Sequence, residues 1–194
     1  MKVKQVFKTY DNLNRNKESR VRFCPVCGTE YIYNPNIVDN KQTCSNCGVD
    51  YYLNADPCVS ILIADGAKFV LCKRGSSSYQ KGKWCLPCGY IEFNEDFLSA
   101  AMREAKEETG LNVKIESILS VVSNFFTPDL HTLVVVLLAR PISGTLDTLD
   151  NEIEAVQWFS NSEQLPEMAF EADTHIIERY FGTKLDGIPI DSNY

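Results

Sequence analysis

The sequence predicts an α/β layered domain preceded by a separate, small, cysteine-rich module. Three observations carry this: two C-x2-C-G pairs confined to residues 24–48, strand-like apolar runs mixed with helical patterns after residue 55, and a composition that can bury a core. The chain has 194 residues, 44% hydrophobic, 11% aromatic and 23% charged. That suffices for one sizeable core plus an accessory module and is too apolar for intrinsic disorder.

Residues 1–23 hold seven Lys/Arg against Asp11 and Glu18, whereas the rest of the chain carries 12 basic and 24 acidic residues. The expectation is a basic, solvated tail over 1–20 and an acidic body. An acidic body is a poor duplex-binding surface, because neutralising phosphates needs clustered Lys/Arg, so nucleic acid is disfavoured as a partner. The longest apolar runs, Pro57–Ala64 and Leu133–Ala139, fall far short of the roughly 20 residues of a bilayer span. Met1–Tyr10 shows no apolar signal-peptide core, which makes the cytoplasm the expected compartment and no membrane partner expected.

Without a sign of export, eight cysteines argue for metal rather than disulfides. Cys24-Pro-Val-Cys27-Gly28 and Cys44-Ser-Asn-Cys47-Gly48 are separated by sixteen residues, within the spacing of a four-cysteine zinc site. Each C-x2-C-G turn aims two thiolates at one point, and two turns close a tetrahedron, which makes the Zn2+ structural. The segment from Tyr31 to Gln42 reads as a short hairpin between the two, so residues 21–54 are expected to form a zinc ribbon. Cys58 and Cys72 lie in apolar runs as core residues, and Cys85 and Cys88 have no second pair with which to complete a site.

Beyond the ribbon, strands are expected at 57–64 and 67–73 around an Asp65-Gly66 turn, with a Ser/Gly/Lys loop at 75–83. A helix follows at about 95–109, with Asn94 as N-cap and Gly110 as stop. Strands recur near 112–126, 131–140 and 153–159, and helices near 162–168 and 171–181 close the domain. Residues 186–194 are expected to be a C-terminal tail.

Within the first helix, Glu104, Glu107 and Glu108 fall at i, i+3 and i+4, while Leu98, Ala101, Met102 and Ala105 make a second, apolar stripe. Arg103 can reach Glu107, but one arginine cannot balance three glutamates. Two readings fit these residues: a solvated charged face, or a set of oxygen ligands for hard divalent cations.

From Gly89 the chain runs glycine, five residues, Glu95, seven residues, Arg103-Glu104-Ala105, one residue, Glu107-Glu108, one residue, Gly110-Leu111. This resembles the Nudix box, G-x5-E-x7-R-E-U-x-E-E-x-G-U, at every fixed position, and Trp84-Cys-Leu-Pro-Cys-Gly89 is similar to the strand that precedes it. The resemblance implies a Nudix α/β/α sandwich with a mixed sheet over residues 55–185. It also implies Mg2+- or Mn2+-dependent hydrolysis of a nucleoside diphosphate linked to another moiety. By the same resemblance Glu104 and Glu108 are the principal metal ligands, Glu107 ligates or bridges, and the Gly89 carbonyl adds a ligand. Arg103 orients a glutamate and Glu95 braces the loop–helix turn. The general base is Glu107, Glu108, or one of Glu152 and Glu154 ahead of Trp158-Phe159.

A ribbon ahead of a Nudix domain is similar to NADH pyrophosphatases and to a group associated with ADP-ribose and FAD hydrolysis. The S-Q-P-W-P-F-P-x-S stretch of the first group is absent after Leu111, so ADP-ribose or FAD is the expected small-molecule substrate, with NADH behind. A nucleotide-sensing protein and an RNA-end processor are the alternatives, and a homodimer is compatible with the resemblance. Tyr79, Phe125, Phe126 and Phe170 are candidate base-stacking aromatics, none preferred.

Overall fold

The computed structural model describes residues 2–9, 21–32, 41–148, 152–183 and 185–191. Most of the expected basic tail and the centre of the Tyr31–Gln42 hairpin lie outside the described residues. Two compact units are present: Met1–Phe7, Pro57–Asn124 and Thr132–Tyr194 form one, and Lys8–Asp56 with Phe125–His131 the other.

The strands are β1 (Val6–Lys8), β2 (Lys41–Thr43), β3 (Asp50–Tyr52), β4 (Asp56–Asp65), β5 (Lys68–Arg74), β6 (Trp84–Cys85), β7 (Cys88–Tyr90), β8 (Leu111–Thr127), β9 (Leu130–Gly144), β10 (Ile153–Ser160) and β11 (Ile188–Pro189). The helices are α1 (Phe97–Thr109), between β7 and β8, and α2 (Glu171–Thr183), between β10 and β11. Neither is long and apolar enough to cross a membrane. The large sheet runs β1-β8-β9-β4-β5-β10, with β11 on β8, β6 on β5 and β7 on β4; β2 and β3 pair separately.

Strand alternation shows how the large sheet is covered. Leu62, Ala64, Phe69, Leu71, Val136 and Leu138 pack in one cluster with Ala172, Ile176 and Ile177 of α2. Their neighbours Ile61, Ile63, Val70, Leu137 and Ala139 pack in another with Leu98, Ala101 and Ala105 of α1. Successive strand side chains point to opposite faces, so a strand buried on both sides needs a helix layer on each. This is the α/β/α sandwich expected.

Several elements differ from the sequence expectation. Val6–Lys8 of the basic segment form a strand, because Phe7 is buried in the α2-side cluster. Ile188–Pro189 pair with Ile118 and Ser117 rather than trailing as solvated chain. The cap of α1 is Asp96, not Asn94: its Oδ1 accepts from Leu98 N at 2.8 Å and Ser99 N at 3.0 Å. Residues 162–168 are not helical. Pro166 disfavours a helix there, and the backbone serves Trp84 instead, with Trp84 N donating to Glu167 O at 2.9 Å and Ala169 N to Trp84 O at 2.7 Å.

One feature of the sheet places the site. β4 and β5 pair only beside their turn, Ala64 with Phe69 and Asp65 with Lys68. Farther along, β6 lies on β5 (Cys72 opposite Cys85) and β7 on β4 (Val59 opposite Gly89). The Trp84–Tyr90 segment therefore fills the wedge where the two strands splay and presents Cys88 and Gly89 to α1.

Candidate functional site

In the smaller unit, the two C-x2-C-G turns fold alike. Cys24 N donates to Thr29 O at 2.8 Å and Gly28 N to Cys24 O at 2.9 Å; Cys44 N donates to Val49 O at 2.9 Å and Gly48 N to Cys44 O at 3.0 Å. Gly28 and Gly48 adopt φ of 74° and 72°, the left-handed conformation that other side chains resist. The four sulfurs lie within 4.8 Å of one another, with Cys24 Sγ to Cys47 Sγ 3.7 Å and Cys27 Sγ to Cys44 Sγ 3.5 Å. A tetrahedron of 2.3 Å Zn–S bonds has edges of about 3.8 Å. Hydrogen bonds to Thr29 hold the Cys27 thiol down at about 5, whereas Cys47, despite a backbone bond at Val49, is pushed by burial and its sulfur neighbours up to about 12. The cluster fits a zinc ribbon.

In the larger unit, α1 is fixed at both ends. Asp96 caps its start, while Gly110 ends it at φ 72° with its N–H on Lys106 O. The helix does not divide into one apolar and one acidic face as the sequence suggested. Met102 is exposed, and the buried stripe runs Leu98, Ala101, Ala105, Glu108. Glu108 lies on that stripe because 98, 101, 105 and 108 repeat at 3, 4 and 3 residues. The three glutamates are graded in depth: Glu108 is 4% exposed overall, while the side chains of Glu104 and Glu107 are 12% and 52% exposed.

Arg103 gathers the carboxylates. Its Nε and Nη2 donate to Glu95 Oε2 and Oε1 at 3.1 and 2.6 Å, its Nη1 to Glu104 Oε1 at 2.7 Å and Glu107 Oε2 at 3.2 Å, and its Nη2 also to Tyr90 O at 3.1 Å. Glu95 in turn accepts from Glu92 N at 2.9 Å, bracing the loop–helix turn as expected. Arg103 holds the Glu95 carboxyl below the ordinary carboxylate range. Glu108 Oε2 accepts from Cys88 N at 2.8 Å, yet burial raises its carboxyl well above that range, and the Glu104 charge adds to the effect.

Gly89 sits so close to Glu104 that a Cβ there would overlap the Glu104 carboxylate. Gly89→Ala is therefore expected to leave folding nearly intact, since the obstructed atoms end a flexible side chain, yet to cut turnover at least 100-fold; circular dichroism and steady-state kinetics check both. Three carboxylates on Arg103 and a fourth, Glu108, on the Cys88 amide leave an oxygen-rich site. Such a donor set fits hard divalent cations.

The structure brings Arg103, Glu104, Glu107, Glu108, Glu95 and Gly89 together. It does not bring Glu154 into that set: Glu154 Oε1 pairs with Lys73 Nζ at 2.9 Å. Glu152 is exposed, and its carbonyl accepts from Gly75 N and Ser78 Oγ. Among the aromatics, Phe125 stacks on His131 at 3.9 Å between centroids, and Phe170 lies against the Arg74 guanidinium at 5.3 Å. Two contributors had no signal in the sequence: the Cys88 amide, since a backbone N–H carries no residue signature, and Asp173 of α2. Asp173 is 6% exposed, accepts from Leu86 N at 3.0 Å, and is pushed by burial up to about 7.

Comparison with known proteins identifies the family. The NUDIX domain model matches residues 55–180. An ADP-ribose pyrophosphatase of Methanocaldococcus jannaschii is 35% identical over 140 residues, 69% of this chain and 79% of that protein. An NAD-capped RNA hydrolase NudC of Pseudomonas aeruginosa is 27% identical over 165 residues, 84% of this chain; the chain spans 56% of that protein's length. The crystal structure of a NUDIX hydrolase from Nitrosomonas europaea superposes with a TM-score of 0.72 at 27% identity, covering 87% of this chain and 95% of that one. With a matched domain over most of its length and named hydrolases as relatives, the chain belongs to the NUDIX hydrolase family.

Proposed function

We propose that this protein hydrolyses the diphosphate linkage of a nucleoside diphosphate joined to another moiety, ADP-ribose or FAD first, with release of AMP. The observation that carries this reading is the depth-graded trio Glu104, Glu107 and Glu108, two of them held by Arg103 and the third by the Cys88 amide. Glu104 and Glu108 would hold Mg2+ or Mn2+, with Glu107 and the Gly89 carbonyl completing the set. Held by these residues, such a cation would supply charge neutralisation for the diphosphate and a more acidic water for attack on phosphorus. Glu107, half-exposed and tied through Oε2 to Arg103, would take that water's proton. Glu152 remains a candidate for the same step, while Glu154 is engaged by Lys73. Arg103 Nη1 would draw Glu104 and Glu107 together and orient them, while Glu95 anchors the other edge of the guanidinium. Arg103→Lys, which cannot span three carboxylates, is expected to lower kcat 10- to 100-fold with KM nearly unchanged, read by steady-state assay.

A second reading is favoured by the name of the Pseudomonas aeruginosa relative, an NAD-capped RNA hydrolase. It keeps the same carboxylates and takes an NAD-like dinucleotide, free or at an RNA end. The acidic body weighs against an RNA chain.

The deciding assay resolves AMP by chromatography from ADP-ribose, FAD, NADH, NAD-capped RNA and nucleoside triphosphates, with Mg2+ and with Mn2+. A kcat/KM well above the rest for ADP-ribose or FAD supports the first reading. Preference for NADH or capped RNA, with salt-sensitive RNA affinity, supports the second. No turnover by folded, zinc-loaded protein overturns both and favours nucleotide sensing.

A further inference from the structure

We propose that Asp173 is a positioning residue for this site: by accepting from the Leu86 amide it fixes the Trp84–Gly89 segment against which Glu108 and Glu104 are set. The proposal rests on the reading that those glutamates ligate the catalytic cations. The wedge between β4 and β5 explains why an acceptor is needed. Cys85 pairs with β5 and Cys88 with β4, and Leu86 between them belongs to neither ladder, so its buried N–H has no strand carbonyl opposite. Asp173 Oδ2 supplies the missing acceptor at 3.0 Å.

The bonds on either side show what this tie controls. Trp84 is held by Glu167 and Ala169, Pro87 O accepts from Ile61 N at 2.8 Å, and the next amide along, Cys88 N, reaches Glu108. Gly89 then presses its bare face against Glu104. One segment six residues long thus carries both reference points for the carboxylates, and Asp173 holds its middle.

The choice of residue is informative as well. A carboxyl this buried costs free energy that an apolar side chain of the same volume would not, so packing alone does not account for it. Ser60 of β4 and Arg74 of β5 face the same carboxyl, and the first turn of α2 favours an acidic group there. An asparagine keeps an oxygen for Leu86 and drops the charge, whereas an alanine keeps neither.

The test compares Asp173→Asn and Asp173→Ala with the parent protein, zinc-loaded and full length. Amide hydrogen exchange of the protein free of divalent cations is the first measurement. Leu86 and Cys88 are expected to exchange at least tenfold faster in Asp173→Ala and within threefold of the parent in Asp173→Asn. Mn2+ affinity, followed by electron paramagnetic resonance, is expected to weaken about tenfold in Asp173→Ala and to return with asparagine. Kinetics on a dinucleotide that the parent hydrolyses should show kcat down at least tenfold in Asp173→Ala with KM within threefold.

Parent-like Cys88 exchange and Mn2+ affinity in Asp173→Ala would overturn the proposal. So would a lowered Tm with uniformly faster exchange, the mark of a purely structural residue, or failure of asparagine to restore the alanine defects. If the alanine variant does not fold, Asp173→Ser, whose oxygen is drawn back from Leu86, replaces it under the same criteria. A parent inactive on every dinucleotide would count against the proposed function, and the exchange comparison would still decide the role of Asp173.

Discussion

Replacing Glu108 by glutamine is expected to lower kcat with Mg2+ about 10^3-fold, some 4 kcal/mol of transition-state stabilisation, while leaving the cation-free protein at least as stable as the parent. The two halves of this prediction have one cause. Glu108 is buried at the end of the apolar stripe of α1 with its Oε2 on the Cys88 amide, and burial raises its carboxyl well above the ordinary carboxylate range. A carboxyl raised in the folded state favours folding in its protonated form. That contribution is complete below the unfolded-state pKa and is lost as pH climbs through the folded-state value. Glutamine carries no charge at any pH, so Glu108→Gln should gain stability over the parent at pH 8 and show little difference at pH 4. Urea unfolding with chelator present gives the stability, and AMP release gives the activity. Turnover within threefold of the parent would sink the mechanism. A loss of activity together with a loss of stability at pH 8 would mean that the glutamate is a structural residue.

Cys44→Ser is expected to have the largest effect on folding, confined to one part of the chain. Four cysteine sulfurs already lie at the spacing of a zinc tetrahedron, and a structural zinc contributes about 10–16 kcal/mol of binding free energy to the fold it closes. The strands flanking the second turn, Lys41–Thr43 and Asp50–Tyr52, are three residues each, too short to persist alone. Zinc content should fall from about one per chain to near zero, and amide protection at residues 21–32 and 41–52 should vanish. Protection of β4, β5 and α1 should survive. Plasma emission spectrometry and hydrogen exchange read the two effects, and retained zinc with retained protection in Cys44→Ser would refute the assignment.

The sequence was most legible where one residue type at a fixed spacing leaves a single solution. The paired C-x2-C-G turns needed no tertiary knowledge, because their hydrogen bonds all close within six residues. Gly110 as the stop of α1 was equally local. What misled was competition between local signals and distant partners. Asn94 is a good cap residue, but Glu95 is drawn back onto Arg103 and Glu92, so the helix starts only after Asp96. Residues 162–168 carry a helical pattern, yet the backbone of Glu167 is needed by Trp84. Charge alone sets Met102 inside and Glu108 outside, whereas the 3-4-3 repeat of buried positions on α1 does the opposite. The Cys88 amide and Asp173 could not be read at all: the first is backbone, and the second meets Leu86 across 87 residues of chain.

The two locked ends of α1 also govern which changes in length the protein can accept. Its start is set by the Asp96 side chain, and at its far end Gly110 and Gly144 meet back to back, with Thr145 O and Asp147 N crowding the space a Cβ at Gly110 would take. An extra residue within the helix can be absorbed at neither terminus. It would turn everything after it by about 100° and swing Glu108 off the apolar stripe. Thirteen residues is therefore a dimension of this site in the same sense as a bond length: the helix tolerates replacement along its outer side far better than it tolerates insertion or deletion of even a single position.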